Sequence, residues 1–598
     1  MTTGLNKMSG ERVDAASEFD VVIAGGGLAG QALARHLKLY YPETKVAVID
    51  KLVRPLPEAA FKVGESTIII SAHYYQTVLK LGDYLFTKQL RKLGLRYFYG
   101  DGRQPVATRP EMGKSSFHHL LNEWQLDRGM FENDLRTFNQ QLGVELIEGA
   151  NITDIRLSSD DAPHELSYVR DGSTTTVRGR WLVDASGRRC LLGQKFGTGP
   201  ERVNMARSAA WWRVKGRVDV ANLVPRDNVA WHDCVPGDNR FNSTTHMMGK
   251  GYWVWLIPLS SGVTSVGIVA TDSIHPPSTY NTLEKAMAWL DEHEPHLAHH
   301  LRRQFPEKPL DFKVLKDFAY RNTQVVSAQR WACVGEAAGF ADPFYSPGSD
   351  SISMMNGMVV DMIRVDREGK LTEEMVQRWQ QLFQDWLAKT TFDIHTSYPY
   401  MHNPMVMSCR TLWDWCYTAS TNLPLFHGTF FKGGFVDNSR VTKRVFSPER
   451  ERLIALGKRM VAMINHWGEL SKGERSFKNY LQYVGAKPLI ELIMTTLNSN
   501  DPTSLWPTFL ERLEEIAQAF FRIAVEDVLP KQLATLPRWV NVWAVSLDPS
   551  KWEADGLFKP ESEARDYTMA YENIRDLVTG KLRLEGIIRH DHQPSAPM

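Results

Sequence analysis

The hydrophobic positions near the start of the chain predict a strand, a turn and a helix in direct succession. An apolar run at 19–23 leads into the segment 25–30, Gly-Gly-Gly-Leu-Ala-Gly, and apolar residues then recur at helical spacing over 32–37. A second apolar run at 46–49 ends in Asp50. The pattern therefore predicts a β-α-β unit with a glycine turn after its first strand.

Further along the chain, the patterns predict strands as far as about residue 270. We interpret 143–147 and 174–177 as short strands and 181–187 as a strand followed by a turn. The alternation at 252–257 and the β-branched run at 263–269 favour an antiparallel sheet that is built into the domain of the β-α-β unit. Such a sheet would form a wall of a substrate site.

After about residue 370 the pattern becomes helical. Two stripes of apolar residues recur at the spacing of one helix face, namely Met375, Trp379, Leu382, Phe383 and Trp386, and later Phe509, Leu513, Ile516, Phe520 and Ile523. We interpret both stripes as the core of a helical bundle. The aromatic residues Trp413, Trp415 and Tyr417 are assigned to the same core; the alternatives are a roof over the active site or a surface that receives a carrier-bound substrate.

Composition and charge point to an enzyme acting on a small molecule. The formal net charge of +1 over 598 residues gives no reason to expect a nucleic-acid partner. The five cysteines never have CxxC spacing, so neither a disulfide framework nor a metal site is predicted. The polar N-terminus does not resemble a signal peptide, and no apolar run is long enough for membrane insertion. We therefore expect a cytoplasmic protein.

The glycine turn has the features of a dinucleotide site. Gly25 allows a tight turn, Gly27 allows the pyrophosphate to approach the backbone, and Gly30 allows the helix to pack closely on the strand. The positive end of the helix then faces the phosphates. Asp50, about 20 residues after the last glycine, is placed to accept hydrogen bonds from ribose hydroxyls.

Two later segments resemble motifs of FAD-dependent aromatic hydroxylases and halogenases. They are 184–187, Asp-Ala-Ser-Gly, and 335–338, Gly-Glu-Ala-Ala. The resemblance implies FAD as cofactor, with Glu336 contacting the ribityl chain where those families have aspartate. It also implies that Arg128 lies near the flavin, and the alternative for Arg128 is a solvated charge on a helix.

The chain most closely resembles the flavin-dependent halogenases, nearer to the phenol and pyrrole types than to the free-tryptophan type. The segment 253–258, Trp-Val-Trp-Leu-Ile-Pro, matches the family signature WxWxIP. The segment 63–67, Val-Gly-Glu-Ser-Thr, resembles the family's strap, a stretch of chain that runs between the flavin and the side of the site where halide binds. The resemblance implies an α/β fold: a glutathione-reductase-type, Rossmann-like FAD-binding domain with an inserted antiparallel sheet and a mostly helical C-terminal domain. It also implies that Ser66 of the strap contacts the flavin.

The same resemblance singles out Lys92 as a catalytic residue. In the family an essential lysine follows the strap by a short helix and precedes an aromatic-rich strand, and the segment 91–100 matches that arrangement. The lysine would hold and aim the hypohalous acid made from halide, O2 and reduced FAD, either by a hydrogen bond or as an N-haloamine. The alternative is an exposed lysine at a basic helix end beside Lys88 and Arg91.

The segment 341–349 resembles the family's loop over the flavin ring. We assign Ser346 as a second catalytic candidate and Gly348 as a flavin contact. Tyr345 stands where tryptophan halogenases have glutamate, which argues against free tryptophan as substrate. The family binds halide with backbone N–H groups at the positions of Pro347 and Gly348, and proline has no N–H group to donate.

Taken together, the resemblance implies chlorination or bromination of an electron-rich aromatic substrate in specialised metabolism. No second glycine fingerprint is present, so either NAD(P)H binds transiently or a separate flavin reductase supplies reduced FAD; we expect the reductase. The substrate is free or bound to an acyl or peptidyl carrier protein. Two alternatives are an FAD monooxygenase, favoured by Pro347, and a non-catalytic flavoprotein that binds a biosynthetic partner.

The expected domains follow the same division. We predict a disordered leader at 1–18, an FAD-binding halogenase-like or monooxygenase-like domain with an interleaved substrate sheet at 19–370, a helical domain at 371–588, and a disordered tail at 589–598.

Overall fold

A computed structural model of the chain describes residues 17–57, 62–117, 121–202, 206–237 and 239–582. Most of the predicted leader and all of the predicted tail at 589–598 lie outside the described residues. Within the described part, no helix is both long and apolar enough to cross a membrane.

The first sheet forms the predicted nucleotide-binding unit. Its strands lie in the order Val326–Ser327, Trp331–Cys333, Ser173–Asp184, Glu18–Ala24, Val46–Asp50 and Glu145–Glu148, and Asn151–Arg156 and His164–Arg170 extend it as a hairpin. The pairs from Trp331–Cys333 to Glu145–Glu148 are parallel. Residues 21–24 and 46–49 are buried, as expected for parallel strands covered on both faces.

Helices cover this sheet on the side of the glycine turn. Leu28–Tyr40 follows the turn directly and buries Ala32, Leu33 and Leu37. Arg128–Gln141 packs beside it and begins at the N-cap Asp127, whose side chain accepts a hydrogen bond from the Met130 N–H at 3.3 Å. Such caps stabilise a helix by about 1 kcal/mol.

The second sheet is the predicted substrate-side sheet. Its order is Asp311–Leu315, Arg207–Lys215, Val263–Thr271, Tyr252–Pro258, Thr244–Gly249, Leu95–Phe98, Glu111–Gly113 and Tyr480–Gln482. Neighbours are antiparallel except at Thr244–Gly249 with Leu95–Phe98 and at Glu111–Gly113 with Tyr480–Gln482. Short strands pair elsewhere, namely Glu201–Arg202, Tyr320–Arg321 and Gly339–Phe340, and Leu90–Arg91 with Trp124–Gln125.

Further α-helices of the described part lie before residue 370, most of them in the connections between strands. They are Ile69–His73, Gly82–Lys88, Leu191–Phe196, Val229–Asp233, Leu283–His293, Pro295–Gln304 and Gly348–Arg367. The C-terminal part contains the α-helices Glu373–His395, Pro404–Ser420, Asn422–Gly428, Ser439–Val445, Pro448–Leu470, Lys487–Leu497, Trp506–Val528 and Thr568–Val578.

The structure confirms the predicted fold class and corrects one strand. Both apolar stripes of the C-terminal part lie on helices, and the second is wholly buried. The predicted strand 174–177 and the strand predicted before the turn in 181–187 are one strand, Ser173–Asp184. Its first half pairs with His164–Arg170, and its second half lies in the parallel sheet. The domain boundary near residue 370 stays a prediction, although Tyr480–Gln482 joins the second sheet from beyond it.

Candidate functional site

A cavity of about 440 Å³ lies where the ends of the first sheet meet the second sheet. Its walls include the glycine turn, the strap 63–66, the turn 185–189, the segment 334–336 and the loop 339–349. The signature strand contributes Trp253 and Trp255 to the same walls. Sequence segments that are hundreds of residues apart therefore meet at one site.

The glycine turn leaves room on its cavity side. A Cβ atom at Gly27 would meet no heavy atom within 4 Å, whereas a Cβ at Gly30 would lie 2.1 Å from the Gly25 carbonyl oxygen. Gly25 has a φ of +122°, a conformation that side chains disfavour. Asp50 lines the cavity, accepts a 3.1 Å hydrogen bond from the Gly26 N–H, and pairs with Arg136.

Arg128 and Glu336 both line the cavity. The Arg128 side chain is 11% exposed, donates to the Val63 carbonyl at 2.7 Å, and forms an ion pair with Glu132 at 2.6 Å. The alternative that Arg128 is a solvated helix charge is therefore wrong. Arg188 lies 3.9 Å from Glu336. The cations around the cavity include Lys51, Lys62, Arg128, Arg188, Arg189 and Lys313.

The strap is fixed by buried contacts on both of its sides. Ser66 lines the cavity, and its hydroxyl lies 2.8 Å from that of Thr244. Glu65 is buried and forms a 2.8 Å ion pair with Arg213, which also pairs with Asp311. The strap therefore has little freedom to move away from the cavity.

Lys92 lies behind the strap and is 3% exposed. Its Nζ donates to the Thr67 carbonyl at 2.5 Å, and its backbone N–H donates to the Glu123 carbonyl at 2.8 Å. The alternative of an exposed lysine at a helix end is therefore wrong, since the helix Gly82–Lys88 ends before it. Burial lowers the pKa of Lys92 to about 8.

The two signature tryptophans lie on one face of the strand Tyr252–Pro258. Their ring centroids are 5.8 Å apart, and the Trp255 indole covers Gly267 on the neighbouring strand, where a Cβ would lie 2.1 Å from the ring. Trp253 Nε1 donates to the Tyr398 hydroxyl at 3.1 Å. A residue of the C-terminal part therefore holds the orientation of this indole.

The loop 341–349 carries the remaining predicted residues. Ser346, Pro347 and Gly348 line the cavity, and Ser346 has a φ of +59°, which is rare for a residue other than glycine. Pro347 is the N-cap of the helix Gly348–Arg367. The first amide groups of a helix have no acceptor inside the helix and can in general bind an anion, whereas Pro347 itself has no N–H group to donate.

Asp342 is a functional candidate that the sequence analysis did not single out. It lines the cavity, is fully buried, pairs with Arg207 at 2.8 Å, and accepts a hydrogen bond from the Tyr398 hydroxyl at 2.9 Å. Burial raises the pKa of Asp342, and Arg207 acts in the opposite direction. In the sequence, Asp342 lies next to Pro343 in the segment 341–349. Its position in that segment was the only signal that could have marked it as a site residue. Asp342 and Tyr398 together tie the loop to Trp253.

This network predicts a stability cost when the Tyr398 hydroxyl is removed. Tyr398→Phe should lower the free energy of unfolding by about 1.5–3 kcal/mol, because a buried carboxylate loses a donor and the Trp253 N–H loses its acceptor. Tyr400→Phe is the matched control, since its hydroxyl contacts Ser397 and Asn465 instead, and should cost about 1 kcal/mol. Urea unfolding of both variants checks the difference; equal costs would contradict it.

The cavity has the groups that FAD requires. The open backbone at Gly27 and the start of the helix Leu28–Tyr40 suit a pyrophosphate, Asp50 suits a ribose, and the surrounding cations balance the phosphate charge. Glu336 would contact the ribityl chain. Within the described residues, no cluster of His, Cys, Asp and Glu could hold a metal ion.

Comparisons with known proteins agree with this geometry. The tryptophan halogenase family model matches residues 101–391. The chain is 25% identical to the flavin-dependent halogenase chlA of Dictyostelium discoideum over 484 residues, which is 76% of this chain and 77% of that protein. It is 27% identical to a 1H-pyrrole-2-carbonyl-[peptidyl-carrier protein] brominase of Pseudoalteromonas luteoviolacea over 57% of this chain and 75% of that protein.

Solved structures share the fold. The crystal structure of the halogenase PltM in complex with phloroglucinol and FAD superposes with a TM-score of 0.59 at 16% identity, covering 87% of this chain and 99% of that one. The WxWxIP strand, the strap and the dinucleotide turn line one cavity, and the sequence matches extend over most of the chain. The chain is therefore similar in sequence and in fold to the flavin-dependent halogenases, and its cavity has the groups that would hold FAD.

Proposed function

We propose that this enzyme chlorinates or brominates an electron-rich aromatic substrate, of the phenol or pyrrole type, in specialised metabolism. The observation that carries the proposal is the buried Lys92, which the strap separates from the FAD cavity. When bound and reduced, FAD supplies with O2 the oxidising power that converts halide to hypohalous acid. The chain's own residues then hold that acid and the aromatic ring.

Lys92 is the residue that we propose directs the hypohalous acid. Its amine is anchored on the Thr67 carbonyl, so its remaining N–H groups can donate to the acid at a fixed place. A desolvated ammonium makes stronger hydrogen bonds than a hydrated one. Aromatic side chains adjoin this region: Tyr97 stacks on His246 at 4.8 Å, and Trp415 packs on Tyr483 at 4.5 Å.

Halide binding is assigned to the start of the helix Gly348–Arg367. The Gly348 amide and the helix dipole would attract the anion, while Pro347 fixes the turn without donating. Ser346, next to them, would donate its hydroxyl to the same anion or to the acid. This arrangement supports halogenation in spite of the proline.

Two partners complete the proposal. A separate reductase supplies reduced FAD, since no second dinucleotide turn is present in the sequence. The aromatic substrate is free or attached to a carrier protein; a relative that brominates a carrier-bound pyrrole supports the second form.

Product masses test the proposed function. The purified protein is incubated with FAD, a flavin reductase, NADH, bromide and a panel of phenols, pyrroles and indoles, offered free and carrier-bound. We expect a bromine isotope pattern in the product. A gain of one oxygen that does not depend on bromide would show a monooxygenase instead, and no product with any panel member would favour the non-catalytic alternative.

A further inference from the structure

Three hydrogen-bonded side chains lie together in the wall of the FAD cavity. Trp253 and Asp342 line the cavity, and the Tyr398 hydroxyl lies between them. This hydroxyl accepts from Trp253 Nε1 at 3.1 Å and donates to Asp342 Oδ2 at 2.9 Å. Trp253 is 2% exposed, and Tyr398 and Asp342 are fully buried. The three groups therefore form a fixed chain that bulk water does not reach.

This chain has the composition of a one-electron donor. Tryptophan and tyrosine are the aromatic side chains that lose one electron most readily. Because loss of an electron makes the phenol O–H strongly acidic, a tyrosine is a good donor only where a base accepts its proton at the same time. The Asp342 carboxylate is at hydrogen-bond distance from that proton. Burial raises the pKa of Asp342 and so makes it a stronger base, while Arg207 at 2.8 Å acts in the opposite direction.

Two tyrosines nearby lack part of this arrangement. Tyr97 stacks on His246, which lines the cavity, at 4.8 Å, but its buried hydroxyl has no hydrogen-bond partner among the described residues. Tyr345 donates to Asp414 at 3.2 Å, and its other hydroxyl contact is a threonine, not a tryptophan. Tyr398 has both a proton acceptor and a hydrogen bond to a tryptophan of the cavity wall.

Trp255 provides the comparison on the tryptophan side. It lines the same cavity, and its ring centroid lies 5.8 Å from that of Trp253. Its Nε1 donates to the Ser265 hydroxyl at 3.1 Å. A serine is much harder to oxidise than a tyrosine, so the hydrogen bond of Trp255 does not lead to a second electron donor.

We propose that Trp253 and Tyr398 form a one-electron donor pair for the FAD cavity, with Asp342 as the acceptor of the Tyr398 proton. Trp253 gives one electron to a one-electron oxidant in the cavity, such as a photoexcited flavin ring, and becomes a radical cation. Tyr398 then gives one electron to Trp253 while its O–H bond breaks and the proton moves to the Asp342 carboxylate. The oxidant has gained one electron, Trp253 is restored, and Tyr398 is a neutral phenoxyl radical beside a neutral carboxylic acid.

This activity goes beyond the proposed function and does not depend on it. It needs bound FAD but no halide, reductase or aromatic substrate. Return of the electron from the reduced oxidant is slow, because the proton on Asp342 must move back to Tyr398 at the same time. The pair therefore removes one-electron oxidants that arise in the cavity before they react with other side chains of its wall.

Illumination of the FAD-loaded enzyme tests the proposal. Oxidised FAD is bound to the full chain without halide, reductase or O2 and is excited with blue light. Radicals are identified by electron paramagnetic resonance after freezing and are timed by transient absorbance. We expect a long-lived tyrosyl radical in the wild type, and it should form more slowly in D2O because the O–H proton moves with the electron. A merely structural Tyr398 would give neither result.

Two variants separate the two electron transfers. Tyr398→Phe keeps the ring and its packing; it should lose the tyrosyl radical and show a short-lived tryptophan radical in its place. Trp253→Phe should lose the tyrosyl radical although Tyr398 is still present. Trp255→Phe and Tyr345→Phe are the matched controls and should keep it. Titration with FAD, followed by absorbance, checks that each variant binds the cofactor.

Either variant alone is sufficient to decide the proposal. A tyrosyl radical that persists in Tyr398→Phe or in Trp253→Phe would overturn it, and so would a wild-type enzyme that forms no tyrosyl radical in light. Loss of the radical in a variant, with its retention in the controls, would support the donor pair even if no member of the aromatic panel is brominated. That absence of product would overturn the proposed function alone.

Discussion

Replacement of Lys92 by alanine or methionine is expected to lower halogenation about 1,000-fold while FAD binding stays unchanged. The amine lies behind the strap and not in the FAD cavity, so its removal leaves the cofactor contacts intact. Methionine keeps most of the buried apolar stem, and the fold should therefore tolerate Lys92→Met. The rate of product formation with bromide checks the loss of halogenation. Titration with FAD, followed by absorbance, checks that cofactor binding is unchanged.

Lys88→Ala is the control for a change of charge. Lys88 is an exposed lysine four residues away, at the end of the helix Gly82–Lys88. We expect its loss to leave halogenation within about twofold of the wild type, since exposed charges are screened and contribute little. Halogenation by Lys92→Met at the wild-type rate would remove Lys92 from the mechanism.

The pH dependence of the halogenation rate distinguishes two roles for Lys92, as a charged ammonium or as a neutral amine. Burial lowers the pKa of Lys92 to about 8, so the ammonium loses its proton as the pH rises through that value. If the ammonium donates to hypohalous acid, the rate falls above about pH 8. A rate that rises over this range would instead favour attack by the neutral amine and an N-haloamine.

Local patterns were sufficient to predict the nucleotide-binding unit. The strand, glycine turn and helix are adjacent in sequence, and their apolar periodicity is strong because the strands are buried on both faces. The sequence pattern predicted two strands in place of Ser173–Asp184. The first half of this strand is a half-exposed hairpin partner of His164–Arg170, and Gly179 interrupts the apolar pattern. The structure bridges that interruption by pairing Phe19 with Gly179.

The surroundings of Lys92 could not be predicted from local sequence. Lys88 and Arg91 suggest a solvated basic segment, but long-range contacts bury Lys92: strand pairing of Leu90–Arg91 with Trp124–Gln125 and the bond to Thr67. The burial of Asp350 could not be predicted for a similar reason. An acidic residue in the first helical turn usually serves the helix dipole, and its contact with Ser71 spans 279 residues.

The family resemblance identified residues that neither periodicity nor spacing could. Ser66, Arg128 and Glu336 are ordinary polar residues in sequence, and they meet at the cavity because three separate segments of the chain converge there. Tyr398 carried no such signal, since it lies in the C-terminal part where no motif was recognised. Its contact with Trp253 appears only once the two parts of the chain are packed together.

Gly27→Ala is expected to weaken FAD binding about tenfold or more, equivalent to about 1.4 kcal/mol, while the apoprotein stays folded. A Cβ at Gly27 meets no protein atom within 4 Å and points into space that the pyrophosphate would occupy. Gly27 is also the N-cap of the helix Leu28–Tyr40. Alanine is a poorer N-cap than glycine, so the free energy of unfolding should fall by at most about 1 kcal/mol.

Gly30→Ala should act through a different physical cause. Its Cβ would lie 2.1 Å from the Gly25 carbonyl oxygen, so the helix must move away from the turn even without FAD. Such overpacking costs about 1–3 kcal/mol and should lower the thermal midpoint of the apoprotein. FAD titration and thermal unfolding of both variants separate the two effects. Unchanged FAD affinity in Gly27→Ala would mean that the phosphates do not approach the backbone at this glycine, and the dinucleotide would have to enter the cavity in another orientation.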